Sequence, residues 1–153
     1  VEVLALTAST ATSDDRPGTN PDRFEKMWRL YALGSLLCFR EAEADLLETG
    51  GTVLFFGALE SDGDAAFKSG KDAAHGLARS LYDEYAPAGI HVSHVQIGGA
   101  MLNPDVVERE DDPDPETYLD PDDVAKTCLH VVDQDTRTQS FQLDLRAGAN
   151  GLY

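Results

Sequence analysis

Three runs decide the fold: Gly51-Thr-Val-Leu-Phe-Phe-Gly-Ala58, then Ala66-Phe-Lys-Ser-Gly-Lys71, then Gly89-Ile-His-Val-Ser-His-Val-Gln-Ile-Gly-Gly99. Thr52 to Phe56 is a continuous apolar run of strand length, and Ile90 to Ile97 reads as a further strand that ends in Gly98-Gly99. Between them, Ala65 to Tyr85 reads as a helix. Gly70, Ala73, Ala74, Leu77, Ala78 and Leu81 recur on its inner side, and small residues there permit close helix approach. Strand, helix, strand with no tight hairpin signal is the unit of a parallel sheet.

The same alternation extends outward. Val1 to Leu6 is a short apolar strand, and Ala11 to Asn20 is a polar loop. Asn20-Pro21-Asp22 is built to start a helix, with a capping side chain, a first-turn proline and an acid at the positive end of the dipole. Phe24, Met27, Trp28, Tyr31, Ser35, Cys38, Ala42 and Leu46 continue it to a stop at Gly50-Gly51. Leu102 to Leu119 is polar, densest in acid from Glu108 to Glu116, and reads as a surface loop around a short helix. Asp120-Pro121-Asp122-Asp123 starts another helix, running to about Val132, and Gln139 to Leu145 supplies a fourth strand. The expectation is a single α/β domain over residues 1–153, a Rossmann-like parallel sheet of about four strands with helices on both faces. Right-handed crossovers set the strands side by side. Val1 to Leu6 is then a sheet edge, although apolar on both faces, so either a partner chain covers it or preceding strands are missing.

Composition narrows the function classes. The chain has 28 acidic against 12 basic side chains, a formal charge of −16, which disfavours nucleic acid and anionic membrane as partners. No apolar run approaches the ~20 residues of a spanning helix. Of the basic residues only Lys26, Lys68, Lys71 and Lys126 are lysines. A lysine-poor, acid-rich surface suits solubility in concentrated salt, so the reading is a halophilic protein, with an acidic mesophilic one as the alternative. Cys38 and Cys128 lie in apolar helical stretches without metal spacing and read as buried reduced thiols of a cytoplasmic protein.

The three opening runs, with Trp28-Arg-Leu-Tyr-Ala-Leu-Gly34, Pro121-Asp-Asp-Val-Ala125 and Gln142-Leu-Asp-Leu-Arg146, resemble the short-chain dehydrogenase/reductase superfamily. The match covers nearly the whole chain in order, but corresponds to the later half of that fold, lacking its first βαβ units. It implies an NAD(P)-linked oxidoreductase. It also implies dimers built from the two long helices, here residues 22–48 and 65–85.

Departures from the pattern qualify that implication. The family holds the nucleotide pyrophosphate on a glycine-rich turn at a helix N-terminus, and no G-x-x-x-G-x-G or G-x-G-x-x-G occurs here. Its Tyr-x-x-x-Lys pair, in which Tyr moves a proton and Lys holds the nicotinamide ribose, is Phe67-Lys-Ser-Gly-Lys71; phenylalanine has no proton to transfer. The family's serine falls near Gly57, its helix asparagine at Ala32, and its Pro-Gly turn at Gly98-Gly99. Some atypical members resemble this Phe-x-x-x-Lys arrangement. Lys71 is thus the one retained catalytic position; Phe67, Gly57 and Ala32 are degenerate ones; and Lys71, Gly98 and Gly99 are the candidate cofactor contacts, to NAD, to NADP or to no cofactor at all.

Each of these residues also has a plainer reading. Lys71 holds a ribose or is a partly exposed helix lysine. Ser61 and Ser69 are replacement hydroxyls or solvated surface serines. Tyr31 is an alternative acid, although its spacing favours packing. His91 and His94, three apart on one strand, make a poor metal pair, and His75 and His130 have no convergent partner in sequence, so all four read as structural. The acidic loop lacks EF-hand spacing. Two function classes stay open: an atypical NAD(P)-linked oxidoreductase, and a non-catalytic binding or scaffold subunit that dimerises through its long helices.

Overall fold

The computed structural model describes residues 1–10, 19–59, 64–109 and 114–148; Ser61, most of the first polar loop and residues 110–113 of the second fall outside them. Four strands, β1 (Val3–Leu6), β2 (Thr52–Ala58), β3 (His91–Gly98) and β4 (Gln142–Arg146), form one sheet in the order β1-β2-β3-β4. Every pairing is parallel. Among the described residues β1 pairs with β2 alone, and Val3 is exposed on it, so β1 is the edge expected from the strand order. The fourth strand begins at Gln142, three residues later than the apolar pattern suggested, because its register starts opposite His94.

The long first helix is continuous in dihedral angles but changes gauge along its length. An α-helical start, α1 (Pro21–Trp28), passes through a π-helical segment at Arg29–Leu33 into α2 (Gly34–Thr49). At the junction the Gly34 N–H reaches back five residues to the Arg29 carbonyl. Asn20 caps the start by accepting from the Asp22 and Arg23 N–H groups, and Gly50 ends the rod in the left-handed region, at φ 65°, where a side chain is disfavoured. Then come α3 (Ala65–Tyr85), the short α4 (Pro104–Arg109) and α5 (Pro121–Val132), which Asp120 caps.

Each face of the sheet has its own core. Val53, Phe55 and Val92 pack with Met27, Tyr31, Phe39, Phe67 and Ala78 from the α1–α2 rod and α3. On the other face Leu54 and Val95 pack with Val124, Cys128 and Val131 of α5. Helices therefore cover both sheet faces, as the sequence pattern required.

Three details correct the sequence reading. Phe39, not Cys38, is the buried residue of its turn; Cys38 is exposed, so the buried thiol is Cys128 alone. Both residues suit a 3.6 period, but Phe39 lies four residues from Ser35 and three from Ala42, and it is the larger apolar group. Phe24 and Trp28 face solvent, and the inward place at the helix start is taken by Arg23, which is 2% exposed. Ala73 and Leu77 are only partly buried.

Candidate functional site

The candidate site lies at the carboxyl ends of β2 and β3, where open parallel sheets present ligand-binding groups. Helix α3 is aimed at it by its cap. The Asp64 carboxylate accepts the Phe67 N–H at 2.9 Å and the Arg23 Nε–H at 2.6 Å. The Phe67 amide, reinforced by the Arg23 guanidinium, holds the Asp64 carboxyl below its ordinary range despite some desolvation. One carboxylate thus fixes both the start of α3 and the start of α1.

From that cap Phe67, Lys71 and His75 follow at four-residue intervals and share one face of α3. The Phe67 ring meets the Tyr31 ring edge to face at 5.6 Å. Lys71 turns inward: its Nζ lies 4.3 Å from the Tyr31 ring centroid and donates to the Phe56 carbonyl at 3.2 Å. Burial holds its pKa below the ordinary lysine value, because the charged form has lost water. The Tyr31 hydroxyl accepts the Thr10 N–H at 3.3 Å, tying this cluster to the segment after β1. Lys71 is thus a half-buried side chain whose ammonium group rests on the protein's own carbonyl and ring.

Gly57 is buried beside β3, and the space over its Cα is occupied. A Cβ built there would lie 2.5 Å from Cε1 and 2.7 Å from Nε2 of His94, and 2.8 Å from Oε1 of Gln96. His94 in turn stacks on His75, centroids 4.3 Å apart and planes 12° from parallel. Phe141 extends the stack, 6.0 Å from His75. Desolvation, then the neighbouring His75 and Lys71, depress the His94 pKa to about 4, so its ring is neutral at pH 7. The expectation that His75 lacks a convergent partner is overturned: strand register and the turn of α3 bring His75 and His94 face to face. A ligated metal does not follow from this pair, since parallel rings aim their in-plane lone pairs past each other. Among the described residues no group of three or more His, Cys, Asp or Glu side chains could hold a metal ion. His91 is separate, with Nε2 at 3.0 Å from the Ser140 carbonyl.

The remaining positions take simpler roles. Ala32 is buried in the π-helical segment and brings no polar group; the residue of that segment that reaches Lys71 is Tyr31. Gly98 ends β3 where a Cβ would crowd Arg146 Cγ at 2.9 Å and Leu59 Cδ1 at 3.1 Å. Gly99 turns the chain at φ 123°, a conformation that only glycine adopts easily. Ser69, half-buried on α3, shows no contact that would assign it a role. A separate open groove of about 510 Å³ lies between α5 and β4, lined by Leu119, Asp123, Thr127, Asp144 and Leu145, and does not include Lys71.

A nicotinamide dinucleotide fits these residues in part only. Lys71 is available to a ribose, at the cost of its contact with Phe56. No glycine-rich turn in the sequence is built to hold the pyrophosphate.

No protein-family model matches the sequence, and no curated protein does. Solved structures do. A short-chain dehydrogenase from Rhodopseudomonas palustris is 25% identical, with a TM-score of 0.68 over 95% of this chain and 61% of that one. An alcohol dehydrogenase from the archaeon Thermococcus sibiricus, complexed with 5-hydroxy-NADP, is 20% identical, with a TM-score of 0.76 over 97% of this chain and 63% of that one. An acetoin dehydrogenase from Enterobacter cloacae is 22% identical, with a TM-score of 0.74 over 94% of this chain and 63% of that one. The fold is therefore the α/β Rossmann-like fold of short-chain dehydrogenases, and the chain spans about three-fifths of the length of these proteins.

Proposed function

We propose that this chain is the substrate-side portion of an atypical short-chain dehydrogenase/reductase-like protein, NAD(P)-linked, in which the usual proton-transfer position has been given up. The observation that carries the reading is the placement of Lys71. It sits four residues after Phe67 at the carboxyl end of the sheet, desolvated, with Nζ between the Phe56 carbonyl and the Tyr31 ring. Nicotinamide cofactors supply hydride chemistry in such folds. Here Lys71 would hold the ribose, Phe67 excludes water beside it, and no side chain at 67 moves a proton. The glycines at 98 and 99 let the chain pass closely over that end of β3. Cofactor pyrophosphate contacts lie outside these residues on this reading.

Titration calorimetry with NADH and NADPH tests it on two samples, this chain and the natural full-length product. The expected result is no heat at millimolar cofactor with the chain alone and saturable heat with the full product. Saturable heat with the chain alone contradicts the division of labour. No heat with the full product sinks the oxidoreductase reading.

A specific observation favours the second reading, a scaffold subunit. Phe24, Trp28, Leu37 and Leu47 are exposed along the α1–α2 rod, from 43% to 57%. Homodimerisation through this rod would cover them. The outward side of α3 is instead polar, with Lys68, Asp72, Arg79, Asp83 and Glu84, and its small residues Gly70 and Ala74 are spent on the protomer's own core. The halophilic and cytoplasmic assignments belong to this proposal; among the described residues no helix is long and apolar enough to cross a membrane.

A further inference from the structure

We propose that Lys71 is an amine nucleophile toward small aliphatic aldehydes, joining them as an imine at Nζ. The inference goes beyond the cofactor reading and requires no bound nucleotide. Three observations carry it.

First, Lys71 has no counter-ion among the described residues, although the chain carries 28 acidic side chains. Burial is the one influence on its proton, and it favours the neutral form. Lys126 shows the opposite case: it donates to Asp123 at 2.6 Å, and that carboxylate holds the proton on. Only the neutral amine has the lone pair that attacks a carbonyl, so desolvation without an acid is what activates a lysine.

Second, the surroundings of Nζ suit a protonated imine better than an ammonium. An ammonium has three N–H donors. Among the described residues Lys71 Nζ finds one acceptor, the Phe56 carbonyl at 3.2 Å. Its other neighbours are ring faces, with the Tyr31 centroid at 4.3 Å and the Phe67 centroid at 5.9 Å. A protonated imine keeps one N–H and the positive charge. That N–H donates to Phe56, the charge stays over Tyr31, and the two donors without a protein acceptor are gone.

Third, Lys71 is half-buried rather than sealed, so a small aldehyde reaches it from solvent and the adduct needs no enclosed cavity. Lys26, Lys68 and Lys126 are exposed and lack this setting. In the reaction the neutral Nζ attacks the carbonyl carbon, and the C=O π pair moves to oxygen. That oxygen gains the proton which the nitrogen gives up to water. The carbinolamine hydroxyl then takes a solvent proton and leaves as water, while the nitrogen pair closes the C=N bond. One water is released, and nothing is oxidised or reduced.

The test is imine trapping on the whole 153-residue chain at pH 7. Propanal is the probe, cyanoborohydride fixes the imine as a secondary amine, and peptide mass mapping reads the four lysines separately. Lys71 is expected to label severalfold faster than Lys68, its exposed neighbour on the same helix, and Lys126 more slowly than Lys71. In urea the advantage of Lys71 should vanish, because it belongs to the fold. Labelling of Lys71 no faster than that of Lys68, or an advantage that persists in urea, would overturn the proposal. NADPH added to the natural full-length product reports on the cofactor reading separately. Protection of Lys71 there supports its contact with the ribose, and absence of protection counts against that contact while leaving the amine chemistry standing.

Discussion

His94 fills the volume that a side chain on Gly57 would need: Cε1 stands 2.5 Å from the position of the missing Cβ. Contacts under 3 Å between carbons are not tolerated, so the glycine and the histidine are coupled by size. Gly57→Ser should destabilise the chain by about 1–3 kcal/mol, the usual cost of overpacking. Added to His94→Ala, the same change should cost much less, because the ring it strikes is gone. Denaturant melts of the two single variants and the double give the coupling energy; simple additivity would show that the two residues do not share the space.

Gly70 has the same relation to the α1 rod. Its Cβ would lie 2.8 Å from Tyr31 Cδ2 and 3.0 Å from the Met27 carbonyl oxygen. The backbone atom cannot step aside as a flexible side chain does. Gly70→Ala should therefore lower stability, by about 1–3 kcal/mol, despite alanine's better helix propensity. Thermal unfolding checks it, and a variant as stable as the parent would mean that α1 and α3 separate freely.

The buried His94 also sets a pH window. Its folded pKa, about 4, lies below the ordinary 6.5, so between those values the unfolded chain binds the proton that the native ring refuses. Stability should be full above pH 6.5 and fall by about 3 kcal/mol toward pH 4, at about 1.4 kcal/mol per unit. The groups facing the ring from neighbouring elements are His75 and Lys71 of α3, which oppose its protonation, and Asp144 of β4, which favours it. His94→Phe should flatten this slope in urea titrations at stepped pH. Asp64 works at lower pH: its depressed carboxyl contributes above the ordinary carboxylate range and is lost as pH falls through its folded value, so Asp64→Asn should weaken the remaining acid sensitivity.

Net charge predicts a salt response. With −16 on the chain, self-repulsion weakens the folded state at low ionic strength, and screening relieves it. The melting temperature should climb steadily from dilute buffer to molar KCl. A melting temperature independent of KCl would count against salt adaptation.

The exposed apolar rod predicts self-association. Trp28→Asp and Leu37→Glu should each shift a dimer toward monomer in sedimentation velocity without lowering the melting temperature of the monomer, since both side chains are already exposed. Gly70 and Ala74 are unsuitable for this purpose, because charges there would unfold the protomer first.

Much of the fold was legible because its signals are local. Asn20 with Pro21 and Asp120 with Pro121 cap helices through atoms two or three residues away, and Val53 to Phe55 is apolar whichever face it meets. The choice between Cys38 and Phe39 was not decidable from period alone, since one residue moves the helical face by less than the width of the apolar stripe. The candidate site was half legible. Lys71 and the gap at Gly57 stand in the sequence, whereas the occupant of that gap does not. His94 reaches Gly57 through the register of β2 against β3, and it reaches His75 through the packing of α3 on the sheet, two long-range facts that no spacing encodes. Tyr31 shows an intermediate case: its helical spacing was readable, but its contact with Lys71 depends on the π-helical turn that carries it.

Lys71 is a desolvated member of a built site rather than a lysine on a helix surface. NMR titration of the four lysine side chains, Lys26, Lys68, Lys71 and Lys126, tests that directly. Lys71 should titrate below the ordinary lysine value, with its Nζ exchange slowed by the Phe56 carbonyl and its Cε protons shifted by the Tyr31 ring. If Lys71 titrates at or above the ordinary lysine value and shows no ring-current shift, the site described around it does not exist.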